Sequence, residues 1–330
     1  MRLFALLALA ACGDNTNVAC GVDGPMCNRL SYWDLSAAIP YTVNTPLFSD
    51  YTTKDRAILL PPGASATWAD VDAFDLPVGS ILIKTFGYLH DRRDPSQGER
   101  LLETRLLLHG EAGWHGASYV YDGDGSDAEL ASAGATISAT WIHDDGTTRT
   151  NDYVVPNANQ CKSCHGEHDG VVSLLGIKAR HLNDGDQLQS FVDAGMVTGA
   201  PPRDAWPSIP DAFDPATGTL EQRARGWLDI NCGHCHNPSG LARTSGLFLD
   251  ITQTDPTRLG VCKPPVATGP ASGGLSYDVV PGDPDASILV LRISSTAPAV
   301  KMPQIGRNLV QDEGVALIRN WVSAMTGNCQ

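Results

Sequence analysis

The pattern of apolar residues divides the chain into a strand-like part and a helical part. Between residues 40 and 155, short runs of β-branched and aromatic residues are bounded by Gly, Asp or Pro, as in strands joined by turns. No amphipathic helical pattern separates these runs, so an antiparallel β-sandwich-like domain is predicted. The clearest runs are 81–86, 101–108, 117–121 and 136–142.

From residue 156 onward the spacing of apolar residues becomes helical. Thr217 or Thr219 can cap a helix over 221–230, and Asp312 precedes a second helix over 314–322. In the second helix, Val315, Ile318 and Val322 fall on one stripe. The pattern therefore predicts a mainly α part that follows the β domain.

Charge and composition exclude several classes of protein. The chain has 330 residues, with 23 Lys and Arg against 37 Asp and Glu, so its net charge is −14. Nucleic acid is excluded as a partner, because phosphate binding needs stripes of Lys and Arg. The hydrophobic content of 42% is that of a folded chain rather than a disordered one.

The first residues have the layout of a bacterial export signal. Residues 1–11 read MRLFALLALAA, and the sequence Leu9-Ala10-Ala11-Cys12 follows the pattern of small residues before a cysteine. This segment resembles a lipoprotein signal peptide, which implies a lipid on Cys12 and a membrane-anchored protein in the cell envelope, facing the periplasm or the cell surface. The alternative is a soluble secreted protein. Residues 12–39 are interpreted as a tether or linker.

The cysteines carry the most specific chemistry. Four of the nine fall in two copies of Cys-x-x-Cys-His, the attachment sequence for c-type haem. Two cysteines three apart on a helix face the same side, so both can bond one porphyrin while the adjacent His supplies the proximal iron ligand. A zinc site does not need a His after both pairs. We expect two covalent haem c groups, held by Cys161, Cys164 and His165 and by Cys232, Cys235 and His236.

The other cysteines besides Cys12 are expected to form disulfides, because an exported protein is in an oxidising compartment. Four cysteines allow three pairings. The expected pairs are Cys20 with Cys27 and Cys262 with Cys329.

Residues 215–330 place a helix before the second motif, a Lys301-Met302-Pro303 loop after it, and a final helix. This arrangement resembles a class I cytochrome c. The resemblance implies that Met302 is the distal iron ligand and raises the reduction potential. It also implies that Gly226 lets the two helices approach, that Trp321 packs at their crossing, and that the carbonyl of Pro238 orients the proximal His.

Residues 156–214 look like a truncated copy of that cytochrome c-like domain. Aligning 182–188 with 309–315 places Leu175 at the position of Met302. The implied fold class is α+β, with an antiparallel β-sandwich-like domain (40–155) followed by mainly α cytochrome c-like segments (156–214 and 215–330). The first haem then needs another distal ligand or has none; the candidates are His181, Met196 and the β-domain residues His90, His109, His115 and His143.

Short segments outside the motifs are also distinctive, at 46–50, 60–63, 84–86, 103–106, 155–157, 160–161, 182–183 and 302–303. On these segments the chain resembles a family of bacterial dihaem c-type cytochromes with an N-terminal β-rich region. The family implies electron transfer with redox partner proteins of the periplasm or envelope. The alternative function is a peroxidase- or oxidase-like haem enzyme that uses an open first haem.

Overall fold

A computed structural model describes residues 20–166, 172–266 and 268–329. The predicted signal peptide at residues 1–11 and Cys12 lie outside the described residues, so both the signal and the lipid anchor stay predictions. Among the described residues, no helix is both long and apolar enough to cross a membrane.

Ten strands are present in the described ranges, and six of them form one antiparallel sheet in the order β1-β2-β4-β5-β6-β7. The other four strands form the antiparallel hairpin β8–β9 and the parallel pair β3–β10. All four predicted strand segments lie within strands of the structure. The strands are β1 (Ile39–Pro40), β2 (Thr53–Leu59), β3 (Ala66–Thr67), β4 (Ile81–Leu89), β5 (Glu99–Gly110), β6 (Gly113–Tyr121), β7 (Ala128–Leu130), β8 (Ala135–Ile142), β9 (Thr148–Val155) and β10 (Val197–Thr198).

The predicted α+β fold class, with a mainly α cytochrome c-like C-terminal part, is wrong. The protein is mainly β; in the described residues the six α-helices are short, and helical residues of all kinds make up only 22%. The reason is local: the long connections after residue 233 are rich in Gly and Pro and form turns between the helices. The α-helices are α1 (Ala158–His165), α2 (Ala179–Leu182), α3 (Gln187–Asp193), α4 (Leu220–Leu228), α5 (Ile288–Ile293) and α6 (Asp312–Ala324).

One face of the sheet is covered by the N-terminal segment. Trp33 is buried against this face, and its indole N–H donates to the Tyr119 hydroxyl at 2.7 Å. That hydroxyl in turn donates to the backbone carbonyl of Cys27 at 2.9 Å. The predicted disulfide between Cys20 and Cys27 is confirmed and closes this segment. Part of the predicted tether is therefore packed on the sheet.

The opposite face of the sheet is covered from its two ends. At one end, the chain between Leu174 and Trp206 shares an apolar core with Ile58. At the other end, the β8–β9 hairpin packs Trp141 on Tyr88, with the ring centroids 4.4 Å apart. The middle of this face is occupied by basic side chains and adjoins α1.

The C-terminal part has its own core around the crossing of α4 and α6. Trp227, Ile318 and Trp321 are buried there, and the predicted disulfide between Cys262 and Cys329 is confirmed. The prediction for Gly226 is wrong, because a Cβ there would meet Ile209 at an ordinary 3.6 Å. The close approach is at Gly314, where a Cβ would lie 2.7 Å from the Trp227 ring.

Gly314→Ala should therefore destabilise the protein. Overpacking costs about 1–3 kcal/mol, and the better helix propensity of Ala returns at most about 1 kcal/mol. We expect the free energy of unfolding, measured with urea, to fall by about 1–2 kcal/mol. Gly226→Ala is the matched control and should leave stability unchanged or raise it. Equal effects of the two variants would contradict this packing.

Candidate functional site

The first Cys-x-x-Cys-His motif lies on α1. Asn157 caps this helix, accepting from the Gln160 backbone N–H at 2.9 Å, while the Gln160 side chain accepts from the Asn157 N–H at 3.0 Å. Cys161 and Cys164 are unpaired and half-buried. Cys161 lies against β6 at Gly116, where an added Cβ would be 3.6 Å from its sulfur.

His165 is oriented by a backbone carbonyl. Its Nδ1 lies 3.0 Å from the carbonyl oxygen of Ser173. Because a carbonyl only accepts, Nδ1 carries the hydrogen and Nε2 keeps a free lone pair. Burial lowers the pKa of His165 to about 4, so the ring is neutral at pH 7. This is the state of a His that binds a metal.

The second motif follows α4. Of the two predicted caps, Thr219 is the one used, and it forms a reciprocal capping box with Gln222. After Leu228 the backbone continues as a π-helical turn, Asp229–Gly233, which carries Cys232 into the core. Burial raises the pKa of Cys232 to about 12, so it is a protonated thiol at neutral pH.

His236 is held in the same way as His165. Its Nδ1 lies 3.1 Å from the carbonyl oxygen of Leu247, so Nε2 is again free. The expectation that Pro238 supplies this carbonyl is wrong. The chain turns back through residues 243–245 and brings Leu247 to the ring, while Pro238 lines a separate cavity beside His181.

One cavity of about 600 Å³ is lined by Met302 and by the three fixed positions of the second motif, Cys232, Cys235 and His236. This volume lies within the usual range of ligand and cofactor sites. The loop of Met302 is fastened by Arg307, whose side chain is 5% exposed. Its guanidinium donates to the carbonyl oxygens of Arg292, Ile293, Ser295, Met302 and Leu309.

The fold brings the two motifs into contact. The Cys235 sulfur lies 3.7 Å from the carbonyl oxygen of Ser163, which is inside the first motif. Ser163 and Cys164 also line the 600 Å³ cavity of the second motif. The two sites are therefore neighbours rather than separate centres.

Basic side chains surround the first motif on the sheet. Arg56 pairs with Lys84, and Lys84 pairs with Arg105, so the three form one row across β2, β4 and β5. Burial lowers the pKa of Lys84 well below its usual value, and the charges of Arg56 and Arg105 lower it further. Within the described ranges, only Arg105 of this row has an ion-pair partner, Glu103.

The candidates for the distal ligand of the first haem lie in different parts of the molecule. Met196 packs in the apolar core at the sheet end, and His109 stacks on Trp114. His143 lies with Asp144 and Glu313, their ligand atoms within 4.8 Å of one another. His90 and His115 are exposed, and Leu175 lines a cavity of about 340 Å³ beside His181.

His181 is buried, and its Nε2 lies 3.1 Å from Asp229. The same carboxylate receives two hydrogen bonds from Arg180, at 2.7 and 3.2 Å. Burial alone would raise the pKa of Asp229, but His181 and Arg180 outweigh it and hold that pKa well below its usual value. The group is thus an ionised carboxylate that joins α2 to the π-helical turn of the second motif.

Sequence reasoning missed Arg307 and His234. A buried Arg in a loop has no local signal, because its five carbonyl acceptors come from the end of α5 and from the irregular chain after it. His234 is the second variable residue of the second motif, and the motif assigns that position no role. The structure buries its Nδ1 without a hydrogen-bond partner.

Asp229→Asn should be strongly destabilising. Removing one partner of a buried pair leaves Arg180 uncompensated, at a cost of about 3–5 kcal/mol in urea unfolding at pH 7. Because the folded pKa is depressed, the contribution is present above the ordinary Asp pKa and is lost as pH falls toward the folded pKa. The variant should therefore lose part of the acid dependence of stability.

Asp186→Asn is the control, since Asp186 pairs with Arg203 at 2.8 Å on the surface. Such pairs contribute about 0–1 kcal/mol. Similar losses in both variants would show that the Asp229 pair is not the stabilising contact.

Comparisons of the chain with models of protein families, with curated proteins and with solved structures give no match. The function is therefore argued from the geometry of the two motifs.

Proposed function

We propose that the protein is a dihaem c-type cytochrome that carries electrons in the bacterial cell envelope. The observation that supports this proposal is that two neighbouring sites contain the same set of groups in the same arrangement. Each site has two unpaired cysteines and a His whose Nδ1 is bonded to a carbonyl, at 3.0 Å in one and 3.1 Å in the other. A covalent haem needs these groups, since the thiols bond the porphyrin and Nε2 binds the iron.

The residues of the second site fit a haem. Cys232 and Cys235 would hold the porphyrin, His236 would be the proximal ligand, and Met302 offers a thioether in the same cavity. The bound group would supply an iron that gains and loses one electron. Arg307 fixes the backbone of Met302 by hydrogen bonds and so limits how far the thioether can move.

The residues of the first site also fit. Cys161, Cys164 and His165 would hold the group beside Gly116, a position without a side chain. A haem carries two carboxylates, and the row of Arg56, Lys84 and Arg105 provides cations for them. The basic side chains of the sheet are thus complementary in charge to the carboxylates of a haem.

Contact between the two motifs favours an electron carrier. Cys235 of one motif touches Ser163 of the other, so the two attached groups would be neighbours and electrons could pass between them. The net charge of −14 favours basic surfaces on the redox partner proteins. Attachment to the membrane through a lipidated Cys12 completes this proposal and depends on the sequence alone.

Replacing the cysteines of one motif by Ala should remove one haem and leave the other. We expect the denatured wild-type protein, made with c-haem maturation, to exceed its polypeptide mass by two haems. Both the Cys161→Ala/Cys164→Ala and the Cys232→Ala/Cys235→Ala variants should exceed it by one. Cys20→Ser/Cys27→Ser is the control and should keep two haems. A wild-type mass without covalent haem would refute the proposed function.

Met302→Ala should abolish the near-infrared sulfur-to-iron absorption band of the oxidised protein and lower one reduction potential, because the thioether is lost. Met196→Ala is the matched control and should keep the band, since Met196 packs in the distant apolar core. Arg307→Leu should weaken the band by releasing the Met302 loop. Survival of the full band in Met302→Ala would exclude Met302 as the ligand.

A further inference from the structure

The second motif places a histidine beside the first. His234 stands between Gly233 and Cys235, and the sulfur of Cys235 touches the carbonyl of Ser163. His234 lines the 600 Å³ cavity together with Ser163 and Cys164. It also shares a smaller cavity with Cys164, lined in part by Leu47 and Phe48. The ring therefore adjoins the first motif.

The ring of His234 is only weakly bound to the protein. Its Nδ1 atom is buried without a well-formed hydrogen bond in the part of the chain that the structure describes, and the backbone carbonyl of Ile230 is close enough to act on the ring. A buried polar atom that is poorly paired costs stability, so the position of the ring calls for an explanation. A metal bound at Nε2 would hold the ring in place, as proposed for His165 and His236.

His234 also lies close to the proximal ligand of the first site. Cys164 lines both cavities with His234, and His165 is the next residue along the chain. His181 lines a third cavity together with His234, but its Nε2 is engaged by Asp229.

We propose that His234 supplies the second axial ligand of the iron held by Cys161, Cys164 and His165. This assignment rests on the proposed function and deepens it. Each site would then draw on the second motif, because Cys232, Cys235 and His236 serve one iron while the residue between the cysteines serves the other.

Two consequences follow for the first iron. With two His ligands it is six-coordinate and low-spin, and its reduction potential lies below that of a His–Met iron. The peptide bond from His234 to Cys235 also gives a covalent connection between the ligand of one haem and the thioether of the other. The second motif is then both an attachment site and the link between the two centres.

The test uses the full chain with both haems attached. In His234→Ala, one of the two irons should become high-spin in electron paramagnetic resonance and bind carbon monoxide when reduced. Added imidazole should restore the low-spin signal. The sulfur-to-iron band of the second haem should persist, which reports that the fold is intact.

The matched control is His109→Ala, which removes another His that has a buried, unpartnered Nδ1 and whose ring stacks on Trp114. It should leave both irons low-spin. His234→Met is a second variant that keeps an axial ligand, and it should raise the lower potential and add a second sulfur-to-iron band.

The outcomes separate this assignment from the proposed function. Two covalent haems with unchanged low-spin signals in His234→Ala would overturn the assignment alone. A wild-type protein with two haems, one of them already high-spin and open to carbon monoxide, would do the same and would favour the haem-enzyme alternative. A protein with no haem on the first motif overturns both.

Discussion

The buried carboxylate of Asp229 fixes the second motif against α2, in the part of the chain that covers one end of the sheet. It stands on the π-helical turn that leads into Cys232, and it binds Arg180 and His181 on α2. Its second oxygen also accepts from the backbone N–H of Ile251 at 3.0 Å. A carboxylate in such a place is tolerated only when every lone pair is used. The geometry that satisfies it also fixes α2, the second motif and the loop after it as one unit.

The sheet imposes the second constraint. Its two apolar ends are covered by the chain between Leu174 and Trp206 and by the β8–β9 hairpin, and neither reaches the middle. Like charges directly opposite each other destabilise a sheet, yet Arg56, Lys84 and Arg105 face one another there. An anionic group held by α1 would neutralise this row. A haem on the first motif would therefore reduce the repulsion between the basic side chains of the sheet.

The sequence predicted what is decided locally. The strand runs, the capping box at Thr219, both disulfides and the two motifs each depend on a few neighbouring residues. The predicted fold class was wrong because the two amphipathic helices, predicted at 221–230 and 314–322, do not indicate a whole helical domain. The residues between these helices prefer turns. Leu247 and Gly314 were missed because their roles arise where distant segments meet. His234 was missed because its neighbours come from another motif.

The weak burial of α1 has a consequence for maturation. Its residues are exposed or only half-buried, and a helix of eight residues is marginal alone even with a good cap. The second motif, by contrast, is built into a core that contains Trp227 and Ile318. On the proposed function, the first pair of thiols would stay accessible to the enzymes that attach haem after the rest of the chain has folded. Attachment itself would then be the last step of folding.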